Sequence, residues 1–374
     1  MNMKKVCILQ NSMTYGGTDT FVINLCRGLV EDGYHVTVIL SVDEDEHLPR
    51  EGELSGTGVR ILKTCHLRGV VSKLKHLKLL YAELKRGKYD AFQSNIDLFN
   101  GPQMLVAWLA GVPVRECHSH NSQQGRELSQ GRTVPIRFYQ GVMRWLCWTF
   151  SNRRCGCSEI AMDFLFKKRW KNDLHSKVVY NGIDFSAYSN YLDLQVKKKE
   201  LGISKRWNVC TVGRMTYQKN SFFIVEIMKS LLKIRKDCDF IWVGTGELKD
   251  EIQNKIEEYG IEDNVHLLGV REDVPDILRN CDIFLLPSIF EGLAIVLIEA
   301  QAAGLQCVVS NTTAVESNCG GCLYLPLEES ADYWANKICE ILDGKIKVNV
   351  KNDILNNFSV DHMVNEMEEI LSNE

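Results

Sequence analysis

Two carboxylates, Glu291 and Glu299, stand eight residues apart in the stretch CDIFLLPSIFEGLAIVLIEAQAAG at 281–304. An apolar run at 283–286 is closed by Pro287 and Ser288, and the pattern predicts a buried strand, a turn, and a helix that starts just after Gly292 and stops at Gly304. Free backbone amides at such a helix start suit an anion such as a phosphate, and Gly292 lets a ligand come close. Carboxylates flanking that anion can accept hydrogen bonds from neutral hydroxyls. The combination suits a sugar joined through phosphate to a ribose. A Glu before a helix and another on its first turns are also ordinary surface chemistry, so spacing alone leaves both readings open. Upstream, VGRMTYQK at 212–219 sets Arg214 and Lys219 on the loop between an expected strand and helix. Two cations there can grip a diphosphate from different sides.

These groups need a scaffold, and the alternation of strands and helices supplies one. Residues 6–10 form a short apolar strand, followed by a loop with Gly16 and Gly17, a helical pattern ended by Gly33, and the strand YHVTVIL. This is a βαβ unit, the start of a doubly wound parallel sheet that binds ligands outside the carboxyl ends of its strands. The glycine pair occupies such a loop but lacks the G-x-G-x-x-G pattern, and it can equally serve only the turn. The strand, loop and helix pattern begins again at RWNVCTVGR, and FIWVGTGELKDEI repeats it with Gly244 and Gly246. At 374 residues the chain exceeds one ordinary core, and two domains are expected. We place them at 1–184 and 185–355, with a last amphipathic helix in 356–374 crossing back to the first domain.

Composition narrows the classes. Hydrophobic content of 45% with 25% charged residues is that of a soluble globular protein, and no apolar run approaches the length of a membrane span. MNMKKVCILQ reads as a first strand, not a signal peptide. Fourteen cysteines are scattered through expected strands and helices, as buried thiols of a cytoplasmic protein are. Cys155 with Cys157 and Cys319 with Cys322 lack a second pair at zinc-site spacing. A net charge of -4 conceals a basic first half, +7 over residues 1–190, beside an acidic remainder at -11. Within the basic half, residues 60–88 hold nine Lys or Arg against Glu83 alone, with Leu74, Leu77, Leu80, Tyr81 and Leu84 at helical spacing. A second stretch, 132–154, mixes Phe138, Trp145, Trp148 and Phe150 with Arg137, Arg144, Arg153 and Arg154. Both patterns suit an anionic membrane surface, and both suit a solvated or core-packed helix. Nucleic-acid binding fits poorly at a pI of 6.2.

The stretch EGLAIVLIEAQAAG, taken in its context, resembles the E-x7-E signature of the retaining glycosyltransferases of the GT-B fold, family 4 (group 1). Further matches run in the expected order: GG at 16–17, HSHN at 118–121, NGID at 181–184 and VGR-x4-K at 212–219. HSHN is similar to the version of the capsular and exopolysaccharide branch. The resemblance implies an α/β chain of two Rossmann-like doubly wound domains facing a central cleft. It implies donor contacts at Gly16, Gly17, Arg214, Lys219, Gly244, Val270, Arg271, Glu291, Gly292, Leu293, Ala294 and Glu299. In the family the first Glu holds donor-sugar hydroxyls, the second holds the ribose, and a histidine near the reacting centre corresponds to His118 or His120. The implied activity moves a hexose or N-acetylhexosamine from a nucleotide sugar, with UDP favoured. The implied acceptor is a polyprenyl-diphosphate-linked saccharide, held by the basic half in the cytoplasm or peripherally at the inner face of the membrane. No metal and no cofactor are expected, since two side-chain cations and a helix dipole can stand in for a metal. A sugar-nucleotide epimerase or hydrolase and a non-catalytic nucleotide-sugar-binding subunit are the alternatives. Two departures stand out: Ala294, where many relatives carry proline or a polar residue, and GTGE, which lacks the commoner acidic central residue.

Overall fold

Short runs rich in Val, Ile, Leu and Cys alternate with amphipathic helices along nearly the whole chain. The computed structural model describes residues 4–14, 16–121, 134–188, 194–291 and 293–372. In the first half β1 (Lys5–Gln10), α1 (Gly17–Glu31), β2 (His35–Leu40) and β3 (Arg60–Lys63) are followed by α2 (Gly69–Gly87) and β4 (Ala91–Ser94). Then come α3 (Asn100–Ala110), β5 (Val114–Ser119), α4 (Val134–Phe150), β6 (Arg153–Gly156), α5 (Glu159–Phe166) and β7 (Ser176–Val178). The strands form one parallel sheet in the order β3-β2-β1-β4-β5-β6-β7. Its centre is buried on both faces, which is why β1 and β2 read as continuous apolar runs and not as alternating ones.

The second half begins with α6 (Leu194–Glu200) and β8 (Trp207–Val212), then α7 (Ser221–Ile234), β9 (Cys238–Val243), α8 (Lys249–Tyr259) and β10 (Val265–Gly269). It continues with α9 (Val274–Leu278), β11 (Ile283–Leu286), α10 (Ile295–Ala302), β12 (Gln306–Ser310), β13 (Cys322–Leu325), α11 (Ala331–Leu342) and α12 (Asn352–Leu355). Its six strands run β10-β9-β8-β11-β12-β13, again joined by parallel pairings. Two compact units result, Met1–Gly182 with Phe358–Glu374, and Ile183–Asn357. The last helix, α13 (Val360–Leu371), thus belongs to the first unit, where Met363, Val364, Met367 and Ile370 join the core around α1. Ser359 caps it, its hydroxyl accepting from the His362 amide at 3.1 Å. Gly28 of α1 permits the contact, because a Cβ there would lie 2.5 Å from the Val364 side chain.

Each sheet reverses its strand order once, at β1/β4 and at β8/β11. At such a point neighbouring connections leave in opposite directions and open a crevice beyond the carboxyl ends of the strands. Both crevices hold residues singled out above.

Candidate functional site

In the second unit the crevice lies between the loop after β8 and the loop after β11. The amide of Ile289 donates to the Gln218 carbonyl at 2.8 Å, and the Gln218 side-chain amide donates to the Phe290 carbonyl at 3.2 Å. These bonds bring Lys219 against Glu291, with Nζ to Oε1 at 2.6 Å. Two motifs 72 residues apart in sequence therefore form one ion pair. The pair is largely withdrawn from water, its side chains 19% and 8% exposed. Arg214 sits on the same loop, exposed, and makes no ion pair among the described residues. One compensated cation and one open cation flank the switch point.

The glycines after β8 and β9 answer to the packing of these loops. Gly244 adopts φ of +129°, and a Cβ there would meet the Gly213 carbonyl oxygen at 2.2 Å. A Cβ at Gly246 would meet the Met215 carbonyl oxygen at 2.3 Å. The two loops are laced by Met215 N to Thr245 O and Leu248 N to Met215 O, both 3.1 Å. Bare backbone at Gly244 fixes the loop that carries Arg214.

The start of α10 differs from the expectation. The helix begins at Ile295, not just after Gly292, and the Ser317 hydroxyl accepts from the Ala294 amide at 3.0 Å. The Ile295 amide turns back to the Leu293 carbonyl at 3.1 Å. Two amides that a free helix start would offer an anion are thus already engaged, one by Ser317 from the segment after β12 and one within the turn itself. Gly292 lies outside the described residues. Glu299 falls in the second turn of α10, half-buried beside the Tyr188 hydroxyl, and burial raises its carboxyl to about 7. Tyr188 was not singled out from the sequence; its place at the end of the NGIDFSAY segment gave no sign of this partner.

Arg271 is not a free cation. Its guanidinium donates to both oxygens of Asp273 at 2.7 Å and to Glu200 at 2.9 Å, and Lys197 binds Asp273 at 2.5 Å. This network ties the loop after β10 to α6. Hydrogen bonds from Arg271 hold the Asp273 carboxyl well below its ordinary range. Val270, beside it, is exposed. Among the described residues neither Arg271 nor Glu299 bonds to the Lys219 and Glu291 pair.

The first unit has its own crevice at β1/β4, a cavity of about 900 Å³ whose lining includes Gln10, Gly16, Lys73, Asn95, Asp97, Asn121 and Tyr139. Asp19 of α1 shapes one wall. Its carboxylate accepts from Gln10 Nε2 at 2.6 Å, the Thr14 amide at 2.9 Å and the Gly16 amide at 3.2 Å, so the loop leading into Gly16 and Gly17 is clamped from the helix it precedes. On the other wall Asp97 occupies a left-handed conformation, φ of +46°, and accepts from the amides of His120 at 3.1 Å and Asn121 at 3.3 Å. Burial raises its carboxyl above the ordinary range.

The two histidines of HSHN share a side of β5, their rings stacked with centroids 4.5 Å apart. They are not equivalent. His118 is wholly buried under Phe21, and burial pushes its imidazole down to about 3. His120 is half-buried beyond the strand end, with Nε2 2.9 Å from Asn95 Oδ1. Asn95 donates its own amide to the Leu9 carbonyl at 3.1 Å, which fixes Oδ1 as the atom facing the ring. His120 Nε2 is therefore the protonated nitrogen of a neutral imidazole.

The basic stretches divide their apolar residues between core and surface. Leu80 and Leu84 are buried and Leu77 packs against the core, so this part of the α2 stripe faces inward, because the sheet needed that face. Val70, Val71 and Leu74 at the start of α2 are exposed, 74%, 83% and 61%, and Leu79 and Tyr81 are exposed further along it. On α4 Phe138 and Trp145 are exposed, whereas Trp148 is half-buried against the core with the guanidinium groups of Arg154 and Arg169 over its ring. Among the described residues no helix is long and apolar enough to cross a membrane. Their one group with metal-ligating donors close together is Glu116, His118 and Cys155, inside the first unit.

Comparison with known proteins gives concordant results. The pattern of Glycosyltransferase Family 4 matches residues 15–187 and that of Glycosyl transferases group 1 matches residues 194–347. A glycosyltransferase named EpsF of Bacillus subtilis is 29% identical, the alignment covering 90% of this chain and 87% of that protein. A UDP-Gal:alpha-D-GlcNAc-diphosphoundecaprenol alpha-1,3-galactosyltransferase of Escherichia coli is 27% identical over 82% of this chain and 81% of its own. Among solved structures, HepE of Anabaena in complex with UDP superposes with a TM-score of 0.80 over the full length of both chains at 18% identity. The two parallel sheets are those of the GT-B fold.

Proposed function

Since the chain belongs to the group 1, family 4 glycosyltransferases, the two family patterns accounting for both of its units, we propose that it is a retaining, metal-independent enzyme using a UDP-sugar. The acceptor in this reading is a polyprenyl-diphosphate-linked saccharide of capsule or exopolysaccharide assembly. Relatives whose names specify a diphosphoundecaprenol acceptor, and one named for capsular polysaccharide biosynthesis in Staphylococcus aureus, support that acceptor class.

The observation that supports the proposal is the pairing of Lys219 with Glu291 at the β8/β11 switch point, with Arg214 exposed on the same loop as Lys219. As the glycosidic bond breaks, negative charge grows on the departing diphosphate. Arg214 meets it directly, and Lys219 exchanges Glu291 for a phosphate oxygen. Glu291, released, turns its acceptor oxygens to the sugar hydroxyls and orients the ring. Glu299 receives the ribose, with Tyr188 holding its carboxyl in place. The cavity at β1/β4 receives the acceptor, where Asp97 and Asn121 present polar groups beside Lys73. Of the two histidines, we assign the ligand side to His120, because it is the less buried. The leaving phosphate takes the acceptor proton on the face from which the sugar departs, which returns the original anomeric configuration. The exposed Val70, Val71, Leu74, Phe138 and Trp145, among lysines and arginines, suit peripheral contact with an anionic bilayer.

The test is thermal stabilisation and donor hydrolysis against a panel of nucleotide sugars, with and without chelator, in the wild type, Arg214→Ala and Glu299→Ala. Stabilisation by a UDP-sugar, insensitive to chelator and weakened in both variants, is expected. Lack of stabilisation by every nucleotide sugar would overturn the reading in favour of a non-catalytic subunit with another ligand.

A further inference from the structure

Beneath α1 and α13, in the middle of the first sheet, four polar side chains stand where the fold calls for apolar ones. Gln93 on β4 lies in register with Glu116 on β5, and His118 on β5 with Cys155 on β6. Glu116 and His118 are two residues apart on one strand and so share a face. All four are 1% exposed or less, and Cys155 belongs to the same cluster as Val114, Phe21 and Met363. Both carboxylate oxygens of Glu116, both ring nitrogens of His118 and both amide atoms of Gln93 lack a well-formed hydrogen bond, with Cys155 and the Gln93 amide approaching Glu116 only as weak donors. Among the described residues no Lys or Arg pairs with Glu116. A carboxylate in such surroundings has no counter-charge, and burial without one is costly.

The donor atoms are close enough to share an ion. One ligand atom each from Glu116, His118 and Cys155 lies within 4.8 Å of the others, and His118 Nδ1 stands 3.3 Å from Glu116 Oε1. A tetrahedral zinc with bonds of about 2.0–2.1 Å sets a nitrogen and an oxygen ligand about 3.3 Å apart. Small movements of the thiol complete the triangle. Charge also balances: one carboxylate and one thiolate neutralise a dication, leaving no net charge in the core. Thiolate and imidazole together select zinc over magnesium or calcium.

We propose that Glu116, His118 and Cys155 hold a structural zinc ion, with the Gln93 side-chain carbonyl facing the fourth position. The ion clamps β4, β5 and β6 together under α13. It is loaded as the chain folds and is released on unfolding, because no ligand reaches solvent. It takes no part in donor binding, so brief treatment with chelator leaves both the metal and turnover in place.

The experiment is elemental analysis of the full chain, purified without added metal, together with zinc release on denaturation read by a chromogenic chelator. About one zinc per chain is expected, liberated only when denaturant is present. Glu116→Gln and Cys155→Ser should lose the metal, and Cys157→Ser, on the same segment but outside the triad, should keep it. Refolding with cobalt should give the thiolate-to-cobalt charge-transfer absorption, absent in Cys155→Ser. Wild-type protein that carries no zinc and gains no cobalt absorption overturns the proposal without recourse to any variant. Retention of zinc by both Glu116→Gln and Cys155→Ser overturns it as well.

Discussion

Replacing Lys219 by alanine separates two effects that the structure joins in one ion pair. Glu291, only 8% exposed, would keep a carboxylate with its cation removed. Breaking a fully buried pair costs about 3–5 kcal/mol, and an exposed one about 0–1 kcal/mol. With Lys219 itself 19% exposed, the loss should fall between these, at about 2 kcal/mol. In a chain unit of this size that lowers the melting temperature by about 4–8 °C. Glu291→Gln keeps the shape without demanding a cation. The double variant should therefore recover most of the stability, with a coupling of about 1–2 kcal/mol. UDP binding should follow a different order. Lys219→Ala loses a charge-assisted phosphate contact and weakens UDP by about 10- to 100-fold. Glu291→Gln frees Lys219 for phosphate and tightens UDP several-fold while sugar transfer falls. Thermal unfolding and titration calorimetry on the four proteins measure both. Additive stability losses, or UDP binding weakened as much by Glu291→Gln as by Lys219→Ala, would refute the exchange of partners.

Other consequences are open to similar tests. Burial raises the Glu299 carboxyl to about 7, so its contribution to stability is fully present below the unfolded value and is lost as pH rises through 7. The loss should approach about 2–3 kcal/mol by pH 9, and Glu299→Gln should flatten the pH dependence of the melting temperature; unchanged curves would remove the assigned burial. Gly244→Ala forces a Cβ to within 2.2 Å of the Gly213 oxygen, and we expect a loss of about 2–4 kcal/mol together with weaker UDP binding, measured by denaturation and calorimetry. Asp97→Ala should reduce transfer at constant donor affinity, since its cavity belongs to the first unit; a fall in UDP affinity instead would place Asp97 on the donor. Phe138→Ser with Trp145→Ser should reduce co-sedimentation with anionic vesicles at unchanged fold and donor binding. Equal sedimentation would leave these aromatics without that role.

The α/β alternation was legible because β1, β2 and β11 are continuous apolar runs and α1 and α7 carry clear helical stripes. Topology then did what the string of residues does not display. Lys219 and Glu291 were each recognisable, but their pairing depends on β8 lying beside β11. The start of α10 was misplaced because Ser317, distant in sequence, binds the Ala294 amide. Helical spacing identified the stripe of Leu74, Leu77, Leu80, Tyr81 and Leu84 without telling core from bilayer; the sheet took Leu77, Leu80 and Leu84, and Leu74 and Tyr81 stayed exposed. Glu116 was not singled out although it lies two residues from His118 on one strand, and Cys155 was weighed only with Cys157, because strand register and not local spacing brings it to His118.

The central claim is a retaining transfer from a UDP-sugar to a lipid-linked saccharide. Its most direct test is incubation of the full chain with a polyprenyl-diphosphate-linked sugar and a panel of UDP-sugars, with the anomeric configuration of the isolated product read by proton NMR. The account predicts that UDP release matches transfer and that an α-configured donor yields an α-linked product. A β-linked product, or UDP release with no saccharide extended by any donor, would contradict it.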